Sequence, residues 1–303
     1  MTSSISKDVS FRSEELTMAG TFVDVRNARA VALILTGSGP LDRDSNAPKL
    51  RIGVSPAIAD ALELRGVSSL RYDKRGAGQS GGNYFAAGMT ENYSDARAAL
   101  GWLATSYPSL PAYVIGQSEG ALHAAHLAAD GEVSGAVLLA CPARTGEEIL
   151  TWQAAKIIPT LPASTKAILR LIHLDPLKSQ RKQFARIRAT SANSIRVQGR
   201  KLNARWLRQF VDYDPMPIFE QISVPILAII GEHDMQVPPE EVETIKRLVK
   251  GPCEAHVVDG MSHLLRSDPD SKGPRDYRRA VHQPVSPEVL RMITDWIDQH
   301  LSD

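Results

Sequence analysis

Residues 112–130 read AYVIGQSEGALHAAHLAAD. An apolar run leads into Gly116-Gln-Ser-Glu-Gly120, and an Ala- and Leu-rich run with helical spacing follows. The reading is a buried strand, a sharp turn and a helix, with Ser118 on the turn. Glycines on either side leave room for a strained backbone at Ser118. The start of the helix presents free N–H groups and a dipole that favour negative charge there. The bland alternative is a glycine-rich turn with a capping serine, so the decision depends on what the rest of the chain places beside it.

Working outward, the same alternation recurs. TFVDVR (21–26) alternates apolar and polar, whereas VALILT (31–36), SSLRY (68–72), GAVLLA (135–140) and VPILAIIG (224–231) are continuous or nearly continuous apolar runs. Such runs fit strands buried on both faces, as in a parallel sheet. Helix-like stretches lie between them at 55–66, 91–106 and 118–130, and PEVLRMITDWIDQHL (287–301) closes the chain. The alternation predicts an α/β fold with a mostly parallel central sheet flanked by helices.

Residues 142–213 break the rhythm. They show little strand signal and many helix formers, and they carry fourteen Lys and Arg against four Asp and Glu. This local charge of +10, in a chain of net charge +1, leaves −9 for the remainder. The expectation is a helical cap, or lid, at 142–213, inserted into a core domain formed by 1–141 and 214–303. Two readings of its charge stay open: solvated helix faces that dock on the acidic core, or cations that meet an anionic substrate or surface. Its apolar residues Ile157, Ile158, Leu161, Leu169, Leu171, Ile172 and Leu174 would form an acyl-binding wall or simply pack the cap. Trp152, Trp206, Phe210 and Tyr213 are candidate pocket aromatics. Residues 266–286, polar and rich in Pro and Asp, read as a long loop.

A serine hydroxyl is a weak nucleophile without a base, and the base needs a third group to orient it. After VPILAIIG comes Glu232-His-Asp234-Met-Gln-Val-Pro, and after HVVDG (256–260) comes Met261-Ser-His263. Both segments follow strand-like runs, which puts Asp234 and His263 at the same sheet edge as Ser118. Glu232 and Asp259 compete as the acid. His233, His256, His123, His126 and His282 compete as the base, but their positions in a strand, a helix, a polar loop or beside the acid favour His263. Oxyanion donors are expected from the backbone N–H of Glu119 and, in the loop Gly37-Ser-Gly-Pro40, from Ser38 first and Gly39 second.

The motifs TGSGPLDRD (36–44), YDKRGAGQS (72–80), GQSEGA (116–121), GEHDMQVP (231–238) and GMSHLL (260–265) resemble a bacterial branch of the α/β-hydrolases. That branch contains carboxylesterases and is grouped with serine aminopeptidase-like hydrolases. The resemblance implies the α/β-hydrolase fold, the triad Ser118, Asp234 and His263, the oxyanion loop, and no cofactor. It implies structural roles for Asp73 and Arg75 beside the active face. Thr36 stands where many relatives have His, and the cap matches no named family.

The expected activity is hydrolysis of a carboxylic ester through an acyl-enzyme. Thioester or amide cleavage, acyl transfer or perhydrolysis would use the same residues, and a non-enzymatic binding module is the third alternative. The substrate expected is a small acyl compound. There is no nucleic-acid motif, no metal-ligand spacing around the two cysteines, and no apolar run of the ~20 residues that stable membrane insertion takes. Cys141 reads as a buried thiol, and no disulfide to Cys253 is expected. The N-terminal residues lack the apolar stretch of a signal peptide, so a cytoplasmic location is the expectation. The sequence leaves a homodimer open.

Overall fold

Eight strands form one sheet in the order β1-β2-β4-β3-β5-β6-β9-β10 in the computed structural model, which describes residues 3–197, 199–268 and 276–301. In chain order the elements are β1 (Ser4–Ser13), β2 (Leu16–Val25), β3 (Ala30–Leu35), α1 (Val54–Glu63), β4 (Val67–Tyr72), α2 (Met89–Ser106), β5 (Ala112–Gln117), α3 (Glu119–Ala129) and β6 (Gly135–Leu139). After these come α4 (Gly146–Ile157), α5 (Ala163–Leu171), α6 (Pro176–Arg188), β7 (Ser194–Val197), β8 (Arg200–Asn203), α7 (Ala204–Val211) and α8 (Met216–Phe219). The chain closes with β9 (Ile226–Gly231), α9 (Glu241–Leu248), β10 (Cys253–Val258), α10 (Tyr277–Ala280) and α11 (Pro287–His300).

Strands β4, β3, β5, β6, β9 and β10 pair in parallel, while β1 and β2 join antiparallel at one edge. Every residue of β3, β6 and β9 is buried, as continuous apolar runs covered on both faces require. Side chains alternate between two cores. Val31, Leu33 and Leu35 join Leu100, Leu122 and Ile245 on one side of the sheet. Ala32 and Ile34 join Ile58, Leu62, Ile293 and Trp296 on the other.

Two strand pairings had no clear signal in the sequence. Strand β1 is a largely exposed edge strand, SISKDVSFRS, whose Lys, Asp and Ser keep the open edge polar. Strands β7 and β8 form a short hairpin inside the segment expected to be helical, with Gly199 at φ 78° in its turn. Between β6 and β9 the chain otherwise forms α4–α8. Arg144 from this segment pairs with Glu241, and Arg205 with Glu91, so part of its positive charge meets acids elsewhere in the chain. The loop expected at 266–286 contains the short helix α10, and its residues 269–275 lie outside the described residues. Both cysteines are free thiols. Among the described residues, no helix is long and apolar enough to cross a membrane.

Candidate active site

The turn between β5 and α3 is a strained elbow. Ser118 has φ 56° and ψ −118°, a region that side-chain-bearing residues rarely occupy, and its N–H donates to Leu139 O at 2.8 Å. The flanking glycines are required by close approach. A Cβ on Gly116 would lie 2.1 Å from Gly120 O, and one on Gly120 would lie 2.4 Å from Leu35 O. The backbone at Gly120 therefore passes against the end of β3, and the helix begins directly under the serine.

Asp234 and His263 come together at the same edge. The N–H of Glu232 donates to Val258 O, and that of His233 to Met261 O, each at 2.9 Å; these bonds zip the turn after β9 to the loop after β10. The Asp234 N–H closes the turn on Gly231 O at 3.1 Å. His263 Nδ1 then donates to Asp234 Oδ2 at 2.8 Å, with the imidazole 7% and the carboxylate 0% exposed. The other oxygen, Oδ1, accepts from the N–H groups of Gln236 (2.7 Å) and Val237 (2.9 Å). A carboxylate oxygen accepting from Nδ1 fixes the imidazole so that Nδ1 carries hydrogen and Nε2 is free to take a proton.

The competing residues are occupied elsewhere. Glu232 accepts from Gly260 N at 2.9 Å, Asp259 is exposed, and His233 lies near Glu232 and Asp268 O. His256 pairs with Glu254 on β10, and His126 bonds Tyr213 at 2.8 Å. Burial, with His123 nearby, holds the His126 imidazole down at about 4.

Gly37 approaches the elbow closely: a Cβ there would lie 3.5 Å from Ser118 Cβ. Among the described residues, neither the Ser38 N–H nor the Glu119 N–H has a partner in the chain. Both residues line, with Ser118, a small cavity of about 70 Å³. Gly39, at φ 105°, does not line this cavity. Its apolar wall comes from Pro142, Ile149, Leu150, Trp206, Phe210 and Val237. Trp206 and Phe210 stack at 4.8 Å and 12°. Of the seven apolar residues expected to form an acyl wall or to pack the cap, none lines this cavity, and Leu171, Ile172 and Leu174 are exposed. Of the four candidate aromatics only Trp206 and Phe210 face the serine; Trp152 carries Lys156 over its ring, and Tyr213 bonds His126.

Several supporting residues had not been singled out for the site. Gln117 Nε2 donates to His263 O at 2.8 Å, linking the residue before the nucleophile to the base. The buried Arg266 donates to the carbonyls of Leu264, Gln283 and Ile52, which anchors the loop carrying His263. Beneath the elbow, the Glu119 carboxylate accepts from Lys74, Asn92 and His123. Burial alone would raise its pKa, but the Lys74 cation and these hydrogen bonds bring it to about 2. Glu119 follows the nucleophile in the motif, and its charge was the available hint that a buried cation accompanies it. Asp73 and Arg75 take structural roles: Asp73 accepts from Arg43 and Gln79, and Arg75 clasps the buried Asp95. Among the described residues, no cluster of three or more His, Cys, Asp or Glu is arranged to hold a metal ion.

The sequence model described as "Serine aminopeptidase, S33" matches residues 51–270. Esterase EstD of Thermotoga maritima is 26% identical over 295 residues, which cover 95% of this chain and 68% of that protein. Among solved structures, Est1E from Butyrivibrio proteoclasticus, with ferulic acid bound, superposes with a TM-score of 0.64 at 16% identity, covering 97% of this chain and all (100%) of that one. A proline iminopeptidase from Mycobacterium smegmatis also superposes at 0.64 and 16% identity, covering 97% and 99% of the two chains. At these identities the structural matches speak for the fold.

Proposed function

The chain belongs to the serine aminopeptidase S33 family, and from that membership we propose that it hydrolyses small carboxylic esters through an acyl-enzyme. Ser118 attacks the ester carbonyl while His263 Nε2 takes its proton. Asp234 holds the imidazole in the required tautomer and stabilises the imidazolium. The N–H groups of Ser38 and Glu119 receive the charge that develops on the carbonyl oxygen. Collapse of the tetrahedral intermediate expels the alcohol, protonated by His263, and the same histidine then activates water to release the acid. Residues 142–213 act in this reading as a cap on a core of 1–141 and 214–303, and supply most of the apolar wall.

The observation that carries the proposal is the buried His263–Asp234 pair at 2.8 Å, on the sheet edge where the strained Ser118 lies beside two N–H groups that have no partner among the described residues. Esters are favoured over peptide N-termini because the lining includes one acid, Glu119, whose carboxylate is held by Lys74, Asn92 and His123. Only its Oε1 is engaged, but the side chain is 1% exposed, so burial keeps this carboxylate from meeting a substrate ammonium. The cavity's size favours short acyl groups: about 70 Å³ holds a few waters at ~10–15 Å³ each. Steady-state hydrolysis of p-nitrophenyl esters from acetate to laurate tests this, with Ser118→Ala in parallel. Turnover should peak at the short end and vanish in the variant. Turnover that survives in Ser118→Ala would sink the proposal.

A further inference from the structure

We propose that Lys74 is a positioning residue for the oxyanion site: its ammonium ties the Gly37 carbonyl to the Glu119 carboxylate and so aims the two N–H donors at one point. The inference rests on the ester-hydrolase reading above and adds a residue to it.

Lys74 lies two residues past the end of β4, and its own N–H is held by Leu41 O at 3.2 Å. Its side chain runs inward and is 9% exposed. The Nζ donates to Gly37 O at 3.0 Å and to Glu119 Oε1 at 3.2 Å. Gly37 O and the Ser38 N–H belong to the same planar trans peptide, so they point in opposite directions. Fixing the carbonyl on Lys74 therefore turns the Ser38 N–H away from the buried cluster and toward the side where Ser118 lines the cavity. On the other arm, Glu119 supplies the second donor from its backbone, and its side chain is clamped by Lys74 together with Asn92 Nδ2 (2.7 Å) and His123 Nε2 (3.2 Å). One ammonium thus joins the loop after β3 to the first residue of α3. The carboxylate at 3.2 Å largely neutralises the ammonium, so the role is orientation of the peptide rather than a net positive field. Buried ion pairs are weak sources of stability compared with apolar packing, which leaves geometry as the reason for one at this place.

The test uses the full chain with Lys74→Met and Lys74→Met/Glu119→Gln. The single variant strands a buried carboxylate and is expected to lower the melting temperature; the double variant removes that charge and restores the fold. Kinetics with p-nitrophenyl butyrate are compared with inhibition by a trifluoromethyl ketone, which forms an oxyanion on the serine, and by the matching methyl ketone as a ground-state control. For the double variant we expect kcat to fall ~10–100-fold, as misplacing a donor does, with KM within threefold. The trifluoromethyl ketone should weaken by the same factor and the methyl ketone should not. A folded double variant with kcat within threefold of wild type overturns the inference, as does a fall in kcat with unchanged trifluoromethyl ketone affinity. If the double variant does not fold, Lys74→Arg keeps the charge while displacing Gly37 O. A matched, smaller loss in kcat and ketone affinity then supports the role, and no loss or a change in KM alone overturns it. Ser118→Ala separates the two levels. Activity retained there removes the serine reading itself, whereas activity abolished there but intact in the Lys74 variants removes only this inference.

Discussion

Replacing Asp234 by Asn separates the proposed role of the carboxylate from its contribution to the fold. Oδ1 of Asp234 accepts two backbone N–H bonds, from Gln236 and Val237, while Oδ2 accepts from His263 Nδ1. An asparagine in this buried place has one orientation open to it. Turning its amide nitrogen toward the two backbone donors would orphan both, at ~1–3 kcal/mol each. The amide oxygen therefore stays on the backbone side and the NH2 group faces His263. Nδ1 must then accept, the ring proton moves to Nε2, and Nε2 can no longer take the proton of Ser118. The expected loss is ~10⁴ in kcat at neutral pH, or about 5 kcal/mol of barrier, with stability changed by less than ~1 kcal/mol because each hydrogen bond keeps a partner. The assay is kcat on p-nitrophenyl acetate beside a thermal melt of the same sample. A kcat within tenfold of wild type at an unchanged melting temperature would refute the assignment of Asp234.

Further outcomes follow from other parts of the site. Trp206→Ala opens the cavity wall beside Ser118; the preferred acyl chain should lengthen in the ester series, with a stability loss of ~3 kcal/mol for the lost aromatic, and an unchanged optimum would show that the pocket lies elsewhere. Gly116→Ala drives a methyl onto the backbone carbonyl of Gly120 and should cost at least ~1–3 kcal/mol by denaturant titration; a neutral result would contradict the elbow's geometry. His126, held at about 4 in the fold, resists protonation there more than in the unfolded chain. Its contribution is complete above the ordinary ~6.5 and is lost as pH falls toward 4, by up to roughly 3 kcal/mol. Urea melts at pH 7 and pH 4.5 should therefore show a shallower decline for His126→Gln than for wild type, and equal declines would be evidence against it.

The parts of this fold that could be read in advance are those where one physical demand dominates. Residues 31–36 and 226–231 are continuous β-branched and Leu-rich runs because both faces of β3 and β9 are covered, and such runs announce a parallel sheet. The sharp turn at Ser118 was legible because it needs two glycines at fixed offsets. The meeting of Asp234 and His263 was legible because each follows a strand that had to end at the same edge. Strand β1 was not, since an edge strand keeps polar residues on its open side and loses its apolar signal. The β7–β8 hairpin is four residues a side and carries three cations, too short and too charged for a period of two to emerge. The apolar residues at 168–174 look like core or pocket wall in one dimension, yet Leu171 and Ile172 are exposed. The link from Lys74 to Gly37 and Glu119 joins residues 37 and 45 positions apart, and no local pattern encodes such a contact.

The proposed role of Ser118 as the nucleophile of an ester hydrolase is open to direct labelling. Its most direct measurement is mass spectrometry of the protein after treatment with a fluorophosphonate, with ester turnover followed in the same sample. One phosphonyl group per chain is expected, located on Ser118, with activity falling in proportion to labelling and no label on Ser118→Ala. Label on another residue, or full turnover in a fully labelled sample, would contradict it.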